Sequence, residues 1–271
     1  ICFDRWTGEV LWKRKIGSAE GPTVPDERGG LAALRPPMVL SAAADVVVVN
    51  TNLGLLAALR SRDGSPLWTA AYRRSNLSND LGQPRFLSLP PQACILNLDR
   101  LIAAPLDSAE VFAIDAASGK RLWSLPLPEP DAQLIGVVGE RVLLGGDRLW
   151  SVNRQSGELD ENWGRSHGGG QGQGVIVGSI LFWPADGSIH LIDVETCESV
   201  DSPLELPHSG GANLAVAGQD GKYLVAAGGN RLTAFQSRGP VRDADEVDSD
   251  DPGASHPRQQ TSDDSSAEWR P

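Results

Sequence analysis

The sequence predicts an all-β fold, a β-propeller of four-stranded antiparallel blades forming an open or truncated ring, and three observations carry that expectation. The 271 residues include 30 glycines and 19 prolines without a collagen-like period, which marks frequent turns. One short frame recurs along the chain with constant internal spacing, the signature of a repeat architecture. Further apolar runs precede the recurrences, giving four short strands per unit.

Three copies of the frame, at 2–12, 58–68 and 113–123, align without gaps. They read small-x-polar-x-x-x-Gly-x-x-Leu/Val-Trp, with Asp4, Gly8 and Trp12 in the first copy, Gly64 and Trp68 in the second, and Asp115, Gly119 and Trp123 in the third. Each predicts a hairpin: an alternating strand enters a polar turn, glycine supplies a positive φ, and a second strand carrying tryptophan leaves. Short Asp and Asn side chains accept backbone N–H groups in such turns. An acid at the same place in successive units is therefore expected to cap its turn rather than to catalyse. The second copy has Arg60 at that place.

Two weaker copies follow. Residues 151–157 keep Asn153 and Gly157 but place Trp163 two positions late, and residues 191–197 keep Asp193 while losing both glycine and tryptophan. A sixth stretch, 232–236, keeps only the strand. The turn positions advance by 56, 55, 38 and then 40 residues, to Cys197. The shorter steps suit a propeller blade of roughly 40 residues, and the longer ones contain insertions at 18–37 and 73–91. Apolar runs at 38–41 and 46–50 precede the second copy, as 134–138 and 141–144 precede the fourth. The chain is expected to open on the third and fourth strands of one unit, to contain four complete units, and to close on three strands at 212–236. A β-sandwich is the alternative fold, but it supplies no reason for the same Gly-to-Trp spacing three times.

The best-kept copy, Ala113-x-Asp115-x-x-x-Gly119-x-x-x-Trp123, resembles the tryptophan-docking repeat of the pyrroloquinoline quinone (PQQ)-binding-like propellers. The resemblance covers residues 1–237. That superfamily includes quinoprotein alcohol dehydrogenases and a propeller lipoprotein that assists outer-membrane protein assembly. The resemblance implies that Trp12, Trp68 and Trp123 pack between neighbouring blades. It also implies a periplasmic or cell-envelope protein with a protein partner. For quinoprotein members it implies a quinone on a central tryptophan, Ca²⁺ held by Glu, Asn and Asp, and a disulfide between adjacent cysteines. The present sequence has no adjacent cysteines. Trp150 and Trp183 are the aromatics that could face a channel, and nothing else assembles a hard-cation site by spacing. PQQ with Ca²⁺ is accordingly disfavoured, no cofactor or metal site is expected, and no catalytic residue is assigned. The expected function is a non-catalytic interaction scaffold, with a fragment of a PQQ-dependent dehydrogenase as the alternative.

Charge and composition bound the partners. The net charge is −11, which argues against nucleic acid, whose binding needs clustered Lys and Arg. No run of apolar residues approaches a membrane span, and the first residues show neither the basic nor the apolar region of a signal peptide. Residues 238–271 carry nine acids against four arginines and few apolar side chains, so a disordered acidic tail is expected there. Cys2, Cys94 and Cys197 form no CxxC pair and signal neither a disulfide framework nor a metal. The glycine-rich stretch 164–174 precedes a β run instead of a helix, which disfavours a phosphate cradle and predicts a flexible connection between blades. None of His167, His190, His208 and His256 has an evident catalytic partner.

Overall fold

The computed structural model describes residues 1–17, 23–25, 31–33, 37–43, 45–75, 92–161, 163, 169–170, 172–206, 211–217, 222–238 and 268–270. Every regular element among them is a β-strand, and no helix there is long and apolar enough to cross a membrane. Strands β1 (Cys2–Phe3) and β2 (Val10–Trp12) form a two-stranded sheet, as do β3 (Thr23–Pro25) and β4 (Leu31–Ala33). A four-stranded blade follows: β5 (Val39–Ala43), β6 (Val46–Asn50), β7 (Leu55–Arg60) and β8 (Pro66–Ala71). The next is β9 (Ile95–Asn97), β10 (Arg100–Ala103), β11 (Glu110–Asp115) and β12 (Arg121–Pro126). The third blade has three strands, β13 (Gln133–Val138), β14 (Arg141–Gly145) and β15 (Leu149–Asn153). Strands β16 (Val175–Val177), β17 (Ile180–Ala185), β18 (Ser188–Asp193) and β19 (Leu204–Glu205) make the fourth, and β20 (Asn213–Ala217), β21 (Tyr223–Gly228), β22 (Arg231–Arg238) and β23 (Glu268–Arg270) the fifth.

Within each sheet, successive strands pair antiparallel. The first strands of neighbouring blades, β5, β9, β13, β16 and β20, lie against one another in order, which places them on the inside and arrays the blades radially. Side chains alternate along each strand, so every blade has two apolar faces, and the core is divided into layers between blades. Val48, Leu56, Ala58 and Trp68 of the β5–β8 blade pack on Leu101, Phe112 and Ile114 of the next. Ile102, Val111, Ala113 and Trp123 then meet Leu134, Val142, Leu144 and Val152. Burying such a side chain removes it from water at about 1.5–3 kcal/mol each, and no blade can do so alone.

One expectation is corrected. The third unit has only three strands: the place of its fourth is held by the single bridge between Val152 and Leu159. Residues 268–270 pair with β22 and give the last blade a fourth strand. Three hydrogen-bonded residues satisfy backbone groups on an otherwise open edge, a gain that composition does not register. Trp269 stands opposite Ser237, three residues past Ala234, the counterpart of Ala58 and Ala113. It is therefore out of register with the docking tryptophans. The stretch 239–267 lies outside the described residues.

Candidate functional site

The recurring frame builds one local device. In each hairpin the turn closes with an N–H to C=O bond, Gly8 to Asp4, Gly64 to Arg60, Gly119 to Asp115, Gly157 to Asn153 and Cys197 to Asp193, all 2.8–2.9 Å. Asp4 Oδ1 accepts from the amides of Trp6 and Thr7, and Asp115 Oδ1 from that of Ser118. Asn153 caps through the amides of Gln155 and Ser156, and Asp193 through those of Glu195 and Thr196. In the second copy Asp63 takes over, accepting from Ser65 N–H. Hydrogen bonds to the ionised form favour it. The Thr7 amide above all holds the Asp4 carboxyl below its usual value, and Ser118, through hydroxyl and amide, does the same for Asp115.

The tryptophans join one blade to the next. Trp12 Nε1–H donates to Ser61 O at 2.8 Å, Trp68 to Ala116 O at 2.8 Å and Trp123 to Arg154 O at 2.9 Å. In each case the acceptor lies in the turn of the following hairpin. The indole covers that turn's glycine: a Cβ added at Gly64, Gly119 or Gly157 would stand 2.5, 2.8 or 2.6 Å from the ring of Trp12, Trp68 or Trp123. These three glycines thus meet two demands, a positive φ and a ring pressed on the Cα. Gly8 has the positive φ but nothing within 4 Å.

Trp163, which the sequence frame places late, docks all the same. Its Nε1–H donates to Val194 O at 2.9 Å, and it packs with Cys197, which holds the glycine place at φ 60°. Its own N–H bonds Asp160 O. Arg141 spans the site, donating to Asp160 and lying 5.9 Å over the Trp163 ring.

The aromatics that could have faced a channel are accounted for by packing. Trp183 is 2% exposed, and a Cβ at Gly145, Gly170 or Gly174 would strike its ring. The described part of the glycine-rich stretch therefore lets backbone approach an indole closely, a role its spacing did not reveal; residues 164–168, including His167, lie outside the described residues. Trp150 donates to Glu129 Oε1 at 3.0 Å. His190 is half-buried on β18 opposite Trp183. His208 and His256 lie outside the described residues. Among the described residues no three His, Cys, Asp or Glu side chains converge to hold a metal.

Two polar and apolar features fall outside the frame. Between the first two complete blades, Tyr72 O–H donates to Asp107 Oδ1 at 2.7 Å and Arg74 Nε pairs with Asp107 Oδ2 at 3.2 Å. Asn52, fully buried, donates to Pro37 O and accepts from Leu106 N–H. Burial raises the Asp107 carboxyl above its usual range, despite Tyr72 and Arg74, and burial together with that carboxylate raises the Tyr72 phenol. Beside β1–β2, a cavity of about 520 Å³ opens between that sheet and the β5–β8 blade, lined by Ile1, Trp12, Met38, Leu40, Val49 and Leu55 among others, with Arg14 and Lys15 at it.

Four-stranded antiparallel blades, arrayed radially and joined by a docked indole and a capped turn, define the protein as a β-propeller of the tryptophan-docking kind. The family model described as "Outer membrane protein assembly factor BamB" matches residues 1–202, and the chain belongs to that family. Among solved structures it is similar to BamB from Moraxella catarrhalis, at 18% identity and a TM-score of 0.54, covering 85% of this chain and 62% of that one. It is also similar to the computationally designed Ika8 protein, at 14% identity and a TM-score of 0.54, covering 81% of this chain and 59% of that one. The WD40 domain of Neurospora crassa Pan2 shares 13% identity at a TM-score of 0.51, over 72% of this chain and 56% of that one. The chain thus spans about 62% of the BamB structure. No curated protein matches the sequence.

Proposed function

We propose that this chain is a non-catalytic propeller scaffold of the cell envelope that binds a protein partner and takes no quinone. The observation that carries this reading is the commitment of the recurring polar residues to the fold itself. Asp4, Asp115, Asn153 and Asp193 cap turns, and Trp12, Trp68, Trp123 and Trp163 dock blades. Membership in a family named for outer-membrane protein assembly supports both the envelope location and a protein ligand. Propellers present broad loop-bearing end faces, and function resides in what those faces bind.

Titration of the purified chain with PQQ and Ca²⁺, followed by tryptophan fluorescence, tests the reading, because four docked indoles and Trp183 report on any ligand entering the blades. Quenching that stays unsaturated below the micromolar range is expected. Saturable quenching at nanomolar PQQ, abolished by a calcium chelator, would show a built quinone site and replace the scaffold with a quinoprotein.

A further inference from the structure

We infer that Leu67, Leu98 and Leu122, gathered about the turn 115–119, form a docking surface for a partner polypeptide that carries Lys or Arg side chains between apolar ones. Three bonds set the leucines around that turn. Trp68 Nε1–H donates to Ala116 O at 2.8 Å, which seats Leu67, the residue before it, beside the turn. Ala116 N–H donates to Asp99 O at 2.8 Å, which ties the two-residue turn Leu98–Asp99 to the same place. Asp115 N–H donates to Lys120 O at 2.8 Å, closing the turn just before Leu122. Every element involved belongs to the two four-stranded blades β5–β8 and β9–β12 and their turns.

The fold itself does not call for leucine at these places. Pro66 and Trp68 pair with Leu59 and Ala58, and Arg121 and Trp123 with Ile114 and Ala113, so Leu67 and Leu122 are the extra residues of two β-bulges. A bulge re-aims its side chain, and these two are 40% and 44% exposed. Val200, next to the Ile192–Ser199 bridge, holds the same place in the fourth blade and is 46% exposed. Leu98 stands at φ 54°, where the matching turns of the next two blades have Gly139 and Gly178. A left-handed φ strains a bulky residue, and burial does not offset the strain, because Leu98 is 84% exposed. Backbone strain that packing leaves uncompensated points to function.

The patch is open surface: none of the three leucines lines the cavities of about 520, 640 and 340 Å³. Exposed apolar side chains gathered outside a pocket suit a macromolecule rather than a small ligand. Charge then selects the partner. In the turns and strand ends 61–65, 98–100, 115–121, 139–141, 153–160 and 193–199, nine acids stand against six basic residues. Two of those six, Arg100 and Arg154, are turned inward, with side chains 14% and 5% exposed. Ser118 and Ser65, through hydroxyl and amide, hold the Asp115 and Asp63 carboxyls below their usual range, and so ionised. Such a face attracts Lys and Arg and repels an anionic lipid surface.

A synthetic peptide of about twelve residues alternating leucine with lysine is the probe, and the same peptide with glutamate for lysine is its control. Titrated into the full chain with amide hydrogen exchange as the readout, the lysine peptide is expected to bind saturably and to slow exchange at residues 97–100 and 116–122, and the glutamate peptide to leave them unchanged. Leu98→Gly separates binding from folding: glycine relieves the left-handed strain, so Tm should hold or rise, while binding weakens about tenfold or more. Leu122→Ser is the second patch variant, and Leu232→Ser, at a side chain 76% exposed on the last blade, should leave binding unchanged. Circular dichroism shows whether each variant keeps its fold. Absence of saturable binding up to about 100 µM, equal binding of both peptides, a fall in Tm with Leu98→Gly, or indifference of binding to both patch substitutions would overturn the proposal. Sedimentation with anionic phospholipid vesicles that Leu98→Gly abolishes would assign the patch to lipid and overturn the polypeptide partner. The proposal rests on the scaffold reading for the kind of ligand. Failure of the peptide leaves that reading standing, whereas tight PQQ binding removes it whatever the peptide does.

Discussion

Replacing Trp123 by alanine tests the docking device most directly. The indole is 9% exposed, packs among Val111, Ala113, Leu134 and Val152, and lies on the Cα of Gly157. Emptying an aromatic core site costs about 3–5 kcal/mol. Loss of the 2.9 Å bond to Arg154 O adds about 1 kcal/mol if the carbonyl stays dry. Arg154 is 4% exposed, but Arg100 Nη1 also lies 3.5 Å from that carbonyl and offsets part of the loss, so the total should stay within that range, about 4 kcal/mol. Trp123→Phe keeps a ring but loses the N–H, and about 1–2 kcal/mol is expected from the missing bond and part of the contact area. Trp6, 80% exposed, is the matched control, and its alanine variant should stay within about 0.5 kcal/mol of the wild type. Urea unfolding followed by far-ultraviolet circular dichroism measures all three. If Trp123→Ala is no more destabilising than Trp6→Ala, indole docking does not hold the blades together and the layered-core argument fails.

The two turn glycines separate backbone strain from docking. Both have φ near +72°, so Gly8→Ala should cost about 1 kcal/mol, while Gly119→Ala, which also displaces the Trp68 ring, should cost roughly 2–4 kcal/mol; equal losses in urea melts would remove the ring from the account. Asp107 gives a signed pH effect: its carboxyl is raised in the fold by burial, so its contribution is fully present below the ordinary value of 3.8 and is lost as pH rises through the raised one. Wild-type Tm minus that of Asp107→Asn should thus fall with rising pH across that window, and a rise would refute burial as the dominant influence. Cys94 is buried and its thiol is pushed up to about 12, and thiolate is the reactive form. At neutral pH a thiol reagent should label half-exposed Cys2 quickly and Cys94 only after unfolding, as read by mass spectrometry; rapid labelling of Cys94 would contradict the packing of the first interblade layer.

Much of this architecture is written in short-range pattern. Asp4, Asp115, Asn153 and Asp193 cap turns through amides two or three residues away, and a bond of that span depends on local spacing alone. The strand at 46–50 and the blade runs near 134–138 and 141–144 are legible as short continuous apolar runs, which are local patterns too. Trp163 escapes the frame because its position depends on Asp160 and Arg141, which lie 3 and 22 positions away in sequence and meet only in the folded blade. Cys197 at φ 60° shows that a turn can be imposed by its surroundings on a residue that does not signal it. The Tyr72–Asp107 bond spans 35 residues, and Gly170 is close-packed against Trp183; neither leaves a periodic trace. The pairing of 268–270 with β22 likewise joins a polar segment to a distant edge, where backbone groups, common to all residues, make the bonds.

By itself, then, the sequence determined the repeating hairpin, its capped turn and the tryptophan that follows, because each is set by contacts within about a dozen residues. Tertiary structure alone decided which turn each indole covers, which glycines are pressed by a ring, and which buried carboxylate Tyr72 meets. Those outcomes depend on the packing of one blade against the next, and the free energy of that contact belongs to surfaces assembled from residues some 30 to 55 positions apart, a separation across which no local periodicity carries information.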